Sequence, residues 1–395
     1  MEVNSWDEFQ PLRELVLGSF YDRSFFEDIK NPRIRDVLVQ IADETQEDLE
    51  NFKEKMKSHN VNVVQYTPEE LGYKESILDY VDIYGRLSLH GKSKHSYPLK
   101  QNMLPAPPLE PRDNIITMGD KIFVSDPTYA SKKFAEALKI TYGTESVDDS
   151  LFSDEITFRR GYNTLVNRLS MTMKKEDVEK LTEDELNQLS KSNLLTGFCS
   201  PNLTRIGSKC LVDIAQTKDA VPFLQKNYSK FQYQELDLGG HNDSIFGVLK
   251  PGLVIASKYL QECGQEKVFD RWKVIYFDDP VWDRVDKFRK LRKKNLGKWW
   301  VPDQEDNDDF TYFVEYFLEN LTGQVDETVF DVNVLVIDDK HVVVNSASKE
   351  LFKVLRENGM EPIHCPIRHR FFFDGGWHCL TLDTNRKGSQ VDYGI

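Results

Sequence analysis

The sequence predicts an α/β fold of about five repeated hairpin-plus-helix units, closed into a ring around a common centre. Three observations predict it. A polar residue, a strand, a tight turn and a second strand recur at "RDNIITMGDKIFVS" from Arg112, "NLTRIGSKCLVDI" from Asn202, "HNDSIFGVLKPGLVIAS" from His241 and "DVNVLVIDDKHVVVNS" from Asp331. Strand and helix patterns alternate near both ends of the chain. The 395 residues, 39% of them hydrophobic, suffice for a substantial core. The competing architecture is an ordinary α/β sheet carrying unrelated hairpins.

In chain order, Leu12 to Leu17 reads as a strand. Asn31 and Pro32 then supply an N-cap and a first-turn proline for a helix whose apolar side holds Val37, Leu38, Ile41, Leu49 and Phe52. A strand follows at Val61 to Tyr66. In each recurrent unit a turn bearing Gly, Pro or Asp separates two β-rich arms, as hairpins require. Lys174 to Ser192 is a charged helix with a capping box at Thr182 and Glu185; Asp283 to Lys298 is a basic helix followed by acidic Asp303 to Asp309. These read as charged insertions, near 170–195 and 283–310, in a single domain spanning 1–395. Lys349 to Asn358 is helical, stops at Gly359 and leads into a strand at Ile363 to Ile367. The strand after Cys379 and the N-terminal strand supply the remaining unit.

A net charge of −14 argues against a nucleic-acid or anionic-membrane binder, because such binding needs clustered Lys and Arg, and it suits a cationic small substrate. The N-terminus lacks the apolar core of a signal peptide and no segment is long and apolar enough to span a bilayer. Cys199, Cys210, Cys263, Cys365 and Cys379 are odd in number and scattered, so they do not form a disulfide framework. A cytoplasmic location is the expectation.

A ring would bring Asp113, Asn202, His241, Asp243 and Cys379 together. A cysteine nucleophile needs a base or a positive neighbour to become thiolate, and His241 in "GGHND" has the best context among the eight histidines. Asp243 should lie on the same side of an extended strand as His241, whereas His378, adjacent to Cys379, should point to the opposite face and serve structure. Asp113 and Asp243, if both are ionised, can hold a planar guanidinium by paired hydrogen bonds. His364, Cys365, His369, His378 and Cys379 offer a rival zinc use, but none of the usual ligand spacings is present and no metal is expected.

At these residues the chain resembles the arginine amidinotransferase family, which includes glycine amidinotransferase and inosamine-phosphate amidinotransferase. The likeness runs in order through "WDEFQPLRELVLG", "PRDNIITMGDKIF", "TRIG", "HNDSIFGVLKPGLVI", "VNVLVID" and "IRHRFFFDGGWHCLTLDTNRKG". It implies the pentein fold, a five-bladed α/β propeller, and no cofactor. It also implies that Cys379 attacks the guanidinium carbon of an arginine-like donor, that His241 exchanges protons with the departing and arriving amines, and that Asp113 and Asp243 hold the guanidinium. The family places an aspartate where Asn202 stands, as the histidine's partner. Its carboxylate-binding arginine is also absent, with Ser257 and Lys258 nearest in its place and Arg368 another carboxylate ligand. The serine pair of the glycine enzymes is replaced around Asp326 to Thr328.

The resemblance implies amidino transfer from arginine to a primary amine. A guanidine-modifying hydrolase of the same fold and a non-catalytic guanidine-binding homologue are the alternatives. The partners expected are small molecules, with homodimerisation left open.

Overall fold

The computed structural model describes residues 1–80, 106–125, 129–149, 200–214, 220–277, 299–318, 322 and 332–395. Among them the chain forms five three-stranded sheets of one design. In four, a hairpin's second strand also pairs in parallel with a third strand. These are β3 (Ile115–Met118), β4 (Lys121–Val124) and β5 (Val147–Asp148); β6 (Leu203–Ile206), β7 (Lys209–Asp213) and β8 (Gln232–Leu236); β9 (Phe246–Lys250), β10 (Leu253–Ser257) and β11 (Lys273–Phe277); and β12 (Leu335–Val336), β13 (His341–Val344) and β14 (Glu361–His364). The fifth joins the chain's ends: β1 (Leu12–Leu17) pairs in parallel with β2 (Asn62–Gln65) and antiparallel with β15 (Thr381–Arg386).

A parallel partner cannot follow a tight turn, so a crossover must intervene. Helices Pro32–Ser58, Tyr129–Tyr142, Ala220–Asn227, Tyr259–Glu262 and Lys349–Glu357 lie in these crossovers. Asn31 caps the first by accepting the Arg33 N–H at 3.0 Å, with Pro32 at its start. Val37, Leu38, Ile41, Leu49 and Phe52 are all buried on it, as their spacing predicts. Among the described residues no helix is long and apolar enough to cross a membrane.

One expectation changes. The strand expected at Ile363 to Ile367 runs instead over Glu361–His364, and pairing ends where Cys365 donates to Val344 O, because Pro366 has no N–H to continue it. Trp299, Val301 and Phe310 are buried, with Trp299 and Phe310 packing edge to face at 5.2 Å. Lys174 to Ser192 and Asp283 to Lys298 lie outside the described residues.

The sheets are tied together by a buried carboxylate on the C-terminal strand. Asp383 accepts from Arg112 Nη2 at 2.7 Å, from Arg205 Nη2 at 2.8 and 3.0 Å, from Arg386 Nε at 2.6 Å and from Ser5 Oγ at 2.8 Å. All five residues are 2% exposed or less. Burial alone would raise the Asp383 pKa, but the three guanidiniums hold it well below the carboxylate range. The strand before the second hairpin's turn (Arg205) and the turn before the first (Arg112) therefore converge on β15.

Asp383→Asn leaves three buried guanidiniums without their shared charge, and should destabilise the protein by about 3–5 kcal/mol, read from urea unfolding. Because the native pKa is depressed, this stabilisation is present above the unfolded carboxylate pKa of about 3.9 and is lost as pH falls through the native value.

Candidate active site

Cys379 sits on the tight turn that enters β15. Three anchors fix the turn. Leu380 N–H donates to Gly376 O at 3.0 Å and Thr381 Oγ1 to Trp377 O at 2.6 Å. Trp377 is fully buried, stacks on Phe52 with ring centroids 4.1 Å apart and donates its indole N–H to Cys365 O. Arg112, held by Asp383, donates Nε to His378 O at 2.8 Å and Thr381 O at 2.9 Å. One arginine thus fixes the cysteine turn from outside and carries Asp113 as its next residue.

Short 3-10 turns precede three hairpins: Pro111–Asp113, Ser200–Asn202 and Asn242–Ser244. The second packs against both the others, and the first packs against β15. Asn242 locks one junction by donating to Asn202 O at 2.9 Å and Thr204 Oγ1 at 3.1 Å. This brings Asp113, Asn202 and Asp243 into one region with Cys379. His241 is the residue before its turn and is not strand, contrary to the alternation argument. It nevertheless shares the site's field, since its charge acts on both Asp243 and Glu110.

Cys379 Sγ lies 3.4 Å from Asp243 Oδ2, which accepts the thiol proton, and 2.9 Å from Asn333 Nδ2. His378 does not face away. Its Nδ1 lies 2.7 Å from that same Oδ2 and its Nε2 lies 3.2 Å from Glu8 Oε2, so the expectation of a purely structural His378 on the opposite face is corrected. Period-two alternation failed because residues 377–380 form a turn, not a strand. Burial and Arg112 disfavour the imidazolium, but Glu8 and Asp243 outweigh them and raise the His378 pKa. Burial opposes ionisation of Asp243 too, and His378, His241 and Arg112 overcome it and lower its pKa.

The sulfur meets the opposite environment from that expected of a preformed thiolate. Burial, Asp243, Asp113 and Glu110 all push the Cys379 thiol well above its ordinary value, against a lowering contribution from the Gly376 N–H. Glu110 is itself pushed well up, by burial and by Asp113, Asp374 and Asp243. The buried Oδ1 of Asp243 and Oε1 of Glu110 have no hydrogen-bond partner among the described residues. The site is a concentration of carboxyl groups around a protonated thiol, suited to a cation.

Other expected residues are placed as follows. Asn202 is buried and donates weakly to Asp213 Oδ2 at 3.4 Å, while its Oδ1 has no hydrogen-bond partner among the described residues. Ser257 is buried at the end of β10 and Lys258 is exposed immediately after it. Arg368 is engaged elsewhere: its Nε donates to Asp48 at 2.9 Å and its Nη2 to Glu47 at 2.8 Å, both on helix Pro32–Ser58. That removes it as a carboxylate ligand. Asp326 to Thr328 lie outside the described residues.

Sequence reasoning missed Glu8, Glu110 and Asn333. The signal for two of them was the paired glycines of "DGGWHC". A Cβ on Gly375 would collide with Glu110 Oε1, and one on Gly376 would collide with Asn333, whose carbonyl oxygen would be 2.7 Å away. The glycines make room for those two side chains.

No family model matches the chain. Its matches among characterised proteins are local. It is 35% identical over 63 residues to the L-arginine:L-lysine amidinotransferase of Pseudomonas savastanoi pv. phaseolicola, covering 16% of this chain and 17% of that protein. It is 26% identical over 162 residues to the mitochondrial glycine amidinotransferase of Gallus gallus, covering 39% of this chain and 28% of that protein. The chain is similar in sequence to amidinotransferases. The segments matched span less than a third of either relative. Over its whole length it has the fold of an amidinotransferase of the saxitoxin biosynthetic pathway from Microseira wollei, with a TM-score of 0.59, 16% identity and 99% of both chains covered.

With the native His378 pKa raised, the stability this residue contributes is fully present below about pH 6.5 and is lost as pH rises through the native value. In an NMR titration of the imidazole, Glu8→Gln should move the His378 midpoint downward. An unchanged midpoint would contradict the Glu8 contact.

Proposed function

We propose that the protein transfers the amidino group of arginine, or of a related guanidine donor, to a primary amine through an amidino-Cys379 intermediate. The observation that carries this reading is the pairing of a buried cysteine with Asp243 at 3.4 Å, inside a field of carboxyl groups that includes Asp113. Sequence likeness to amidinotransferases supports transfer.

A guanidinium between Asp113 and Asp243 supplies the positive neighbour the sulfur otherwise lacks, so donor binding favours thiolate. The thiol proton passes to His241, Sγ attacks the central carbon, the C–N bond to the donor amine breaks, and that nitrogen takes the proton back from His241 as ornithine leaves. An acceptor amine attacks the same carbon, gives a proton to His241 and breaks the C–S bond, and His241 returns that proton to the departing sulfur, restoring the thiol. Asn202 Oδ1 is the acceptor this scheme assigns to the His241 ring N–H; being uncharged, it supports imidazolium less than an aspartate would. Ser257 and Lys258 are assigned to the amino-acid end of the donor. No cofactor takes part.

The same reading closes the five sheets into a single-domain α/β propeller. The β1–β15 pairing and the mutual packing of the three 3-10 turns support that closure. It also keeps the protein in the cytoplasm, where Cys210, Cys263, Cys365 and Cys379 stay reduced.

Ornithine release from arginine in the presence of a panel of primary amines tests the proposal. Asp113→Asn and Asp243→Asn should each lower kcat/KM by roughly a hundredfold or more, since each removes one charge from a buried hydrogen-bonded pair. Citrulline as the sole product would replace transfer by hydrolysis.

A further inference from the structure

Asn333 stands two residues before β12, is 1% exposed, and reaches across to the cysteine turn. Its Oδ1 accepts the backbone N–H groups of His378 at 3.0 Å and of Cys379 at 3.3 Å. Backbone N–H groups only donate, so the oxygen end of the amide must face them. The amino end is thereby aimed at Sγ, 2.9 Å away. Gly376 leaves the space this amide occupies, since a Cβ there would collide with Asn333 Oδ1. Asp243, the sulfur's other hydrogen-bonding neighbour, is an acceptor.

We propose that Asn333 is a catalytic residue whose Nδ2–H stabilises the Cys379 thiolate as it forms, and that Gly376 is present partly to admit it. The surrounding carboxyl groups oppose negative charge on the sulfur, so a donor fixed there lowers the cost of thiolate formation before and during attack. The assignment rests on the reading of Cys379 as nucleophile. It also completes the pattern of the repeated units, because Asp113, Asn202, Asp243 and Asn333 each come from the segment just before a hairpin.

The test is the pH dependence of Cys379 alkylation by iodoacetamide, followed by peptide mass spectrometry. In this reaction the thiol loses its proton to buffer, an S–C bond forms and iodide leaves. Asn333→Asp keeps the shape and the acceptor for both backbone N–H groups but loses the donor. Asn333→Ala loses the donor without adding charge. Both should alkylate Cys379 about tenfold to a hundredfold more slowly below the thiol midpoint, with half-buried Cys263 unchanged as the control for folding. Gly376→Ala, which displaces the amide while leaving Asn333 in place, should slow the reaction similarly, and serves if the Asn333 variants do not fold. An Asn333→Ala profile superimposed on the wild type, or slowing in Asn333→Asp alone, would overturn the proposal. The experiment uses no guanidine, so an absence of arginine chemistry in the wild type would count against the proposed transfer and leave this result standing.

Discussion

Everything at the candidate site hangs on the ionised carboxylate of Asp383. Three arginines from distant segments converge on it: Arg112 before β3, Arg205 on β6 and Arg386 on its own strand. A buried cluster of this kind contributes little net stability over an apolar equivalent, but it is intolerant of losing a member. Its value lies in position. Arg112 cannot meet Asp383 and the carbonyls of His378 and Thr381 together without setting Asp113 and Cys379 in fixed relation. Asp113, proposed to hold the guanidinium, and Cys379, the proposed nucleophile, are thus registered through one side chain.

Around that frame the charges are segregated. Behind the cysteine turn, arginines outnumber their carboxylate partner and ionisation is favoured. At the sulfur, Asp113, Asp243 and Glu110 crowd together and resist it. His378 stands between the two zones, held by Glu8 and Asp243, and keeps Asp243 ionised despite its burial. Such an arrangement disfavours the thiolate until a cation enters, which suits the proposed guanidinium donor. It also explains why the sulfur needs donors in its immediate shell.

Much of the fold was legible because hairpins and helix caps are local devices. The turns at Gly119, Gly207 and Gly252 have positive φ and lie where the sequence placed them, and Asn31 with Pro32 marked the start of the long helix. Counting units grouped the first and last strands, and the structure pairs them antiparallel. The convergence of Asp113, Asp243 and Cys379 in one candidate site was legible where chemistry and repeat coincided. It was obscured where local backbone departed from regular strand: the turn at 377–380 redirected His378, and the 3-10 turn at 242–244 altered the relation of His241 to Asp243. Arg368 misled because a charge in a suggestive motif says nothing of the acidic helix beside it. Asn333 and Glu110 were hidden because their roles depend on glycines distant in sequence whose missing side chains admit them.

The central claim is that Cys379 carries the amidino group between donor and acceptor. Intact-protein mass spectrometry after incubation with arginine and no acceptor amine, beside a Cys379→Ser control, addresses it most directly. The account predicts a mass gain of one amidino group on the wild type alone, with ornithine released in equal amount. An unmodified wild type with neither ornithine nor citrulline in solution would contradict it.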